Sequence, residues 1–369
     1  MLIRGEQMKH TNLKITFSTL VLSISMIFNS FAFYNPPESI KGIVTEHVDM
    51  VDDLVDLGVK QVICNLTMSR LNDEQEMVAF DRFIDELDER DITITVVVLN
   101  DYQTSKPHLL PVSSSVSGTA YYSFNATTQE GIDAISNVAN RLGSRYGNRI
   151  SNWVIGNEIN DRSTWNYIGI DDTTSYSENY AKCFRIFYDK IKSYNSEARF
   201  FIPFEMRWNC VDDIGSNGRY KAKEMLPILN NLLKDTDYGI AWHPYPQEQD
   251  QLNLINQQPD CINNIDTPLI NFKNLNVLTD FMQQSDMLSP DGKVRHLILS
   301  EFGFSSEYGE DLQADALTQA FEIAKNNPYV EGFFLNKQVD APEEVAHYGL
   351  INSSKTERKT AWYTYQNLK

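Results

Sequence analysis

Short apolar runs alternate with longer amphipathic segments along most of the chain, as expected of repeated βα units around a parallel sheet. The apolar runs predict strands at 40–44, 59–66, 92–99, 150–156, 198–203, 238–242, 296–300 and 330–335. The amphipathic segments predict helices at 47–57, 74–90, 129–146, 176–194, 221–234, 272–285, 312–326 and 357–368. Eight strand–helix pairs predict an α/β fold, a single-domain (β/α)8 TIM barrel, with a doubly wound open sheet as the alternative.

The first 32 residues do not follow this alternation. Lys9, His10 and Lys14 precede the apolar run 15–28, and small residues follow up to Ala32. This order predicts a signal peptide at 1–32, with Met8 as a second candidate start. The mature domain would then be 33–369, secreted and without stable membrane insertion, although an uncleaved anchor remains the alternative.

Composition narrows the possible partners. The 369 residues are 42% hydrophobic, and 50 acidic against 32 basic residues give a net charge of −18, which disfavours binding to nucleic acid or to an anionic membrane. The histidines are scattered, and no nucleotide, zinc-protease or serine-hydrolase motif occurs, so we expect no cofactor and no metal. The four cysteines form no CxxC pair, and a disulfide between Cys210 and Cys261 is left open.

Polar side chains follow several of the predicted strands directly. The C-terminal ends of the strands of a (β/α)8 barrel converge on one mouth, where active sites lie. The residues that this rule brings together are Asn65, Asn100, Asn157, Glu158, His243, Tyr245 and Glu301. Asn65 and Asn100 are candidate substrate contacts.

Two carboxylates at one mouth are what the cleavage of a glycosidic bond requires, because one protonates the leaving oxygen while the other attacks or activates water. Glu158 and Glu301 each follow an apolar run, which places each carboxyl beside a wall of low polarity that can raise its pKa. An ordinary ion pair at a strand end is the alternative for either residue.

Segments 153–158 (WVIGNE) and 297–303 (LILSEFG) resemble the retaining glycoside hydrolases whose two catalytic carboxylates follow strands four and seven. That superfamily includes cellulase-like and mannanase-like barrels, and the resemblance covers residues 40–369. It implies that Glu158 is the general acid/base and Glu301 the nucleophile. It also implies that Asn157 binds the sugar 2-hydroxyl and that His243 and Tyr245 line the reactive subsite, with Tyr245 near Glu301.

The end of strand eight departs from the family pattern. Many relatives carry a tryptophan there, whereas residues 334–338 read FLNKQ, and Asn336 is our candidate sugar contact in this stretch. Aromatic rings bind the apolar faces of sugars, and Trp165 and Trp208 are candidate platforms, together with Tyr121 and Tyr122, in predicted loops.

The sequence thus predicts a retaining glycoside hydrolase acting on an extracellular poly- or oligosaccharide. A non-catalytic carbohydrate-binding or cell-surface barrel is the second hypothesis, because a fold does not fix a function. Sugar identity, linkage, endo or exo action and oligomeric state remain open.

Overall fold

Eight parallel strands close into a barrel in the computed structural model, which describes residues 36–211, 218–247, 258–342 and 346–369. The strands are β1 (Lys41–Val44), β2 (Gln61–Thr67), β3 (Thr93–Leu99), β4 (Asn152–Ile155), β5 (Arg199–Glu205), β6 (Tyr238–His243), β7 (Leu297–Phe302) and β8 (Val330–Asn336). Each strand pairs with the next along the chain, and β8 pairs with β1. The predicted (β/α)8 barrel is confirmed, and the open sheet is excluded because the sheet has no edge.

Helices follow the strands around the outside of the barrel. The α-helices are α1 (Val51–Asp56), α2 (Met68–Leu71), α3 (Glu74–Asp88), α4 (Gln129–Tyr146), α5 (Thr173–Lys192), α6 (Ala222–Leu232), α7 (Leu275–Met282), α8 (Glu310–Lys325) and α9 (Thr360–Asn367). The side chain of Thr128 accepts a hydrogen bond from the Gly131 amide at the start of α4, whose apolar stripe then buries Ile135, Val138 and Leu142. No helix in the described ranges has the length and hydrophobicity to cross a membrane.

The predicted signal peptide at 1–32 lies outside the described residues, as do residues 248–257 of the long loop that follows β6. Residues 36–369, apart from the gaps given above, belong to one compact unit.

Several strands end later than their apolar runs predict. The ladder between β5 and β6 continues to the pair Glu205 and His243, so both residues lie on strands. Glu301 lies within β7, and Asn336 is the last residue of β8. Glu205 lies beyond the predicted end of strand five at residue 203, but in the structure it is the last residue of β5 and is held by the hydrogen bonds of the sheet. The reason is that a parallel neighbour extends a strand past the point where its side chains turn polar.

Side chains fill the interior of the barrel, so the site is confined to the mouth. The inner layer is apolar and includes two large aromatic residues, Phe201 and Phe334, both with no exposed surface. A second, larger apolar layer lies between the strands and the surrounding helices. A filled interior leaves no channel through the molecule.

The opposite end of the barrel carries a separate charged cluster. Glu331, near the start of β8, accepts a hydrogen bond from Nδ1 of His296 at 2.6 Å and forms an ion pair with Arg199. This Glu–His–Arg cluster lies at the end of the barrel opposite the mouth and does not contribute to the site.

Candidate active site

A sharp turn after β4 presents Glu158 to the mouth. Gly156 has φ +82° and Glu158 has φ +36°, both in the left-handed region. Glycine adopts this conformation freely, whereas a residue with a Cβ requires support from its surroundings. Part of that support is backbone hydrogen bonding: the Ile159 amide donates to Pro203 O at 3.0 Å, and the Asp161 amide donates to Glu158 O at 2.7 Å.

The Glu158 carboxyl is in contact with His243 at the end of β6. Oε1 of Glu158 lies 2.9 Å from Nδ1 of His243, and the two side chains are 12% and 3% exposed. Burial raises the pKa of the Glu158 carboxyl above its ordinary value, and Glu301 raises it further, while His243 opposes both effects. Burial thus favours the protonated form of Glu158, which is the form that can donate a proton.

The Glu301 carboxylate is held by two donors, one just after β6 and one at the end of β8. The Tyr245 hydroxyl donates to Oε1 of Glu301 at 2.9 Å, and Nδ2 of Asn336 lies 3.4 Å from the same oxygen. Nδ2 of Asn336 also donates to the Tyr245 hydroxyl at 2.9 Å, which fixes the tyrosine. Among the described residues nothing donates to Oε2 of Glu301, so this oxygen is available to a ligand.

The charge of Glu301 raises the pKa of both His243 and Tyr245. Burial by itself lowers the pKa of His243, but Glu301 and Glu158 outweigh it, and the net pKa is raised. Burial, assisted by the charge of Glu301, raises the pKa of Tyr245 well above its ordinary value, so its hydroxyl remains a donor. Both residues thus lie within the field of Glu301, as the resemblance implies.

Glu205 is a third buried acid at the mouth that our reading of the sequence left without a role. Its side chain is 5% exposed, and its Oε2 accepts a hydrogen bond from Arg207 at 2.7 Å. Burial raises its pKa to about 7, against the charge of Arg207 and with a further contribution from Glu158. The signal was present in the sequence, because residues 200–205 (FFIPFE) are an apolar run ending in Glu, like those before Glu158 and Glu301.

Two cavities open at the mouth, and Asn336, which contacts Glu301, lines one of them. That cavity, of about 450 Å³, is lined by the ends of β1, β2 and β8 and the residues that follow them, including Glu46, Asn65 and Asn336. The other, of about 550 Å³, shares Glu46 and Asn65 and extends to Tyr121. Within the described residues the side chains of Asn65 and Asn157 have no hydrogen-bond partner, so both amides are available to a ligand.

An aromatic pair stands at the same mouth. The rings of Tyr121 and Trp165 have centroids 5.9 Å apart and are tilted by 36°. Burial and the charge of Glu301 raise the pKa of Tyr121, which places this ring near the candidate nucleophile. Trp165 is partly exposed and remains a candidate platform.

Two predicted contacts lie elsewhere. Trp208 is 0% exposed, packs against Trp242 and Phe281, and donates its indole N–H to Ile265 O at 2.9 Å. It cannot offer a ring face to a sugar, so its predicted role as a platform is wrong. The sequence could not show this, since the residues that cover Trp208 come from distant segments.

Asn100 is 1% exposed and serves the long loop that follows β3. Its Nδ2 donates to Leu109 O at 2.9 Å and to Ser123 O at 3.2 Å. The structure therefore assigns Asn100 to holding this loop, and the predicted sugar contact is corrected.

Metal and thiol chemistry find no assembled centre in the described part of the chain. No group of three His, Cys, Asp or Glu side chains there could hold a metal ion. Cys64, Cys183 and Cys261 carry free thiols, so the disulfide between Cys210 and Cys261 that the sequence left open is not formed.

Comparisons with known proteins give a family and a fold. A family model described as a family of unknown function (DUF5722) matches residues 33–369. A search of curated proteins found no match. Among solved structures, a family 1 β-glucosidase from Thermotoga maritima is similar with a TM-score of 0.55 and 14% identity, over 86% of this chain and 84% of that chain.

A calcium-binding mutant of Bacteroides uniformis β-glucuronidase 2 is also similar, with a TM-score of 0.56 and 13% identity. The match covers 89% of this chain but only 34% of the β-glucuronidase, so this chain corresponds to about a third of that protein. At these identities the likeness shows the fold, a (β/α)8 barrel of the kind found in glycoside hydrolases.

Proposed function

We propose that this chain, which belongs to the family of unknown function DUF5722, is a retaining glycoside hydrolase. The observation that carries the proposal is the contrast between two carboxyls at one barrel mouth. Glu158 is desolvated and has a raised pKa, whereas Glu301 is bound by the hydroxyl of Tyr245. One acid that keeps its proton beside one oriented carboxylate is the arrangement that double displacement requires.

The first step forms a glycosyl–enzyme ester. Oε2 of Glu301 attacks the anomeric carbon while the bond from that carbon to the leaving oxygen breaks. Glu158 transfers its proton to the leaving oxygen, so the aglycone departs as a neutral alcohol. Tyr245 and Asn336 hold the other oxygen of Glu301 and so direct Oε2 towards the sugar.

The second step reverses the role of Glu158. Ester formation removes the negative charge of Glu301, one of the influences that raise the pKa of Glu158. Glu158, now a carboxylate, accepts a proton from water as the water oxygen attacks the anomeric carbon. The bond to Glu301 breaks, and both carboxyls return to their starting states.

The remaining residues of the mouth bind the sugar in this proposal. Asn157 hydrogen-bonds the 2-hydroxyl, a contact that strengthens as the ring becomes oxocarbenium-like. Asn65 and Asn336 border the cavity beside Glu301, and Trp165 with Tyr121 supplies an aromatic face. The pattern at 1–32 supports export, and the substrate is accordingly an extracellular poly- or oligosaccharide.

The test is sugar release from a broad panel of plant and microbial polysaccharides and aryl glycosides. Wild type is compared with Glu158→Gln, Glu301→Gln and the control Glu331→Gln, which alters a partly buried carboxylate at the end of the barrel opposite the mouth. We expect activity in wild type and the control only, and NMR of the first product should show the anomeric configuration retained. An inverted product contradicts the retaining mechanism, and sugar binding without release by wild type supports the non-catalytic barrel instead.

A further inference from the structure

The turn that carries Glu158 is tied to β5 by one side chain. Oδ1 of Asn160 accepts a hydrogen bond from the Glu205 amide at 2.9 Å, and Nδ2 of Asn160 donates to Oε1 of Glu205 at 2.8 Å. Asn160 is 0% exposed and Glu205 4% exposed, so water does not compete for these bonds. We call these two hydrogen bonds between Asn160 and Glu205 the Asn160 bridge. Asn160 lies two residues after Glu158, whose backbone is in the left-handed region.

We propose that Glu205 is a positioning residue for Glu158, acting through the Asn160 bridge that fixes the turn after β4. The inference rests on the proposed function, because it gives Glu158 the role of acid/base. Glu205 itself does not reach the sugar in this arrangement, since its two oxygens are bound by Asn160 and Arg207.

The bridge matters because the conformation of Glu158 needs outside support. A residue other than glycine at φ +36° reverts to an ordinary conformation when its surroundings loosen. Such a change would move the Glu158 carboxyl away from His243 and from the leaving oxygen. A displacement of about 1 Å in a catalytic group lowers a rate by about 100-fold.

Glu205 is one of several ionisable groups around Glu158. Glu205 lies opposite His243 in the β5–β6 ladder, and Arg207 is its cationic partner. The ionisable groups around Glu158 come from four elements: His243 on β6, Glu301 on β7, Glu205 on β5 with its partner Arg207, and Asp161 on its own loop with its partner Arg219. Because burial raises the pKa of Glu205 to about 7, its carboxyl is protonated at lower pH, and Glu205→Gln preserves both its shape and its charge there.

Leaving-group dependence separates positioning from general loss of structure. A good leaving group such as dinitrophenolate departs without a proton, whereas an alkoxide requires the acid. Asn160→Ala breaks the bridge and should lower kcat/KM, which reports formation of the glycosyl–enzyme, by about 100-fold on alkyl glycosides of the cleaved sugar, with little change in kcat/KM on its dinitrophenyl glycoside. Equal losses on both substrates would assign the bridge to folding alone and overturn the proposal.

Glu205→Ala removes the carboxyl that Asn160 binds, whereas Glu205→Gln keeps an oxygen in its place. Below about pH 7, Glu205→Ala should show the same selective loss of kcat/KM on alkyl glycosides as Asn160→Ala, and Glu205→Gln should recover most of it. Glu331→Gln, in the Glu–His–Arg cluster at the other end of the barrel, should change neither substrate. Equal losses in Glu205→Ala and Glu205→Gln, or an unchanged leaving-group dependence in Asn160→Ala, overturn the proposal.

Nitrogen NMR of the His243 ring in the resting protein keeps this test independent of turnover. In Asn160→Ala and Glu205→Ala the signal of Nδ1 should change as the Glu158 carboxyl moves away from it, and in Glu205→Gln it should match wild type. If wild type cleaves nothing but these changes occur, the hydrolase proposal fails while the positioning of Glu158 by Glu205 stands. If the His243 signal is the same in all of these proteins, the positioning fails.

Discussion

The buried carboxyl of Glu205 should make the stability of the whole protein depend on pH. Its pKa is about 7 in the folded chain, against an ordinary value of 4.5, with burial as the largest cause. A carboxyl whose pKa is raised by folding favours the folded state fully below about pH 4.5, and this advantage is lost as the pH rises through about 7. Between pH 5 and pH 8 this one group should lower the free energy of unfolding by about 2.5 kcal/mol.

Glu205→Gln isolates this contribution because glutamine does not titrate. Urea unfolding followed by tryptophan fluorescence, at pH 5 and at pH 8, gives the free energy of unfolding of both proteins. Wild type minus variant should fall by about 2.5 kcal/mol from the lower to the higher pH, since the other titrating groups are common to both. A difference that stays constant within about 0.5 kcal/mol would refute the reasoning, because Glu205 would then ionise as in the unfolded chain.

Three further substitutions test other parts of the structure. Tyr245→Phe removes the donor to Glu301, and kcat should fall about 100-fold on any cleaved glycoside without a change in the circular dichroism spectrum. Gly131→Ala would place a Cβ 1.9 Å from a backbone oxygen and should lower the free energy of unfolding by about 1–3 kcal/mol, whereas Gly169→Ala meets nothing within 4 Å and should change it by less than about 0.5 kcal/mol. Lys359→Met removes the ammonium 2.7 Å from the Asp340 carboxylate, which is 6% exposed and keeps the Gly349 amide as a donor but loses its cation, and should destabilise the protein by about 3–5 kcal/mol in urea unfolding.

The barrel was predictable because its strands and helices bury apolar surface in local, periodic patterns. A strand buried on both faces reads as a continuous apolar run, and a helix on its outer face reads as an amphipathic segment. Helix α4 begins and ends at the predicted residues, and all eight strands fall within a few residues of their predicted positions. The ends of the strands were predicted less accurately, because pairing with a neighbouring strand determines how far β5 and β8 extend.

The candidate carboxyls were predictable for a related reason. Glu158 and Glu301 each follow an apolar run at the C-terminal end of a strand, and closure of the barrel brings these strand ends together. Tyr245 and Asn336 could be placed at the mouth from their positions in the sequence. The resemblance also implied that Tyr245 lies near Glu301, and its hydroxyl does donate to that carboxylate. The hydrogen bonds of Asn336 to Glu301 and to Tyr245 could not be predicted, because side-chain geometry between separate segments leaves no local pattern.

The sequence by itself determined which elements form and which polar groups end the strands, because those features depend on hydrophobic periodicity within short windows. Only the tertiary structure decided which side chains are covered by distant segments. Trp208 is enclosed by Trp242 and Phe281, and Asn100 binds the loop that folds over it. The role of Glu205 emerges in the same way, since burial and a bridge to another strand, rather than its place in the chain, set its charge and its contacts with the turn of Glu158.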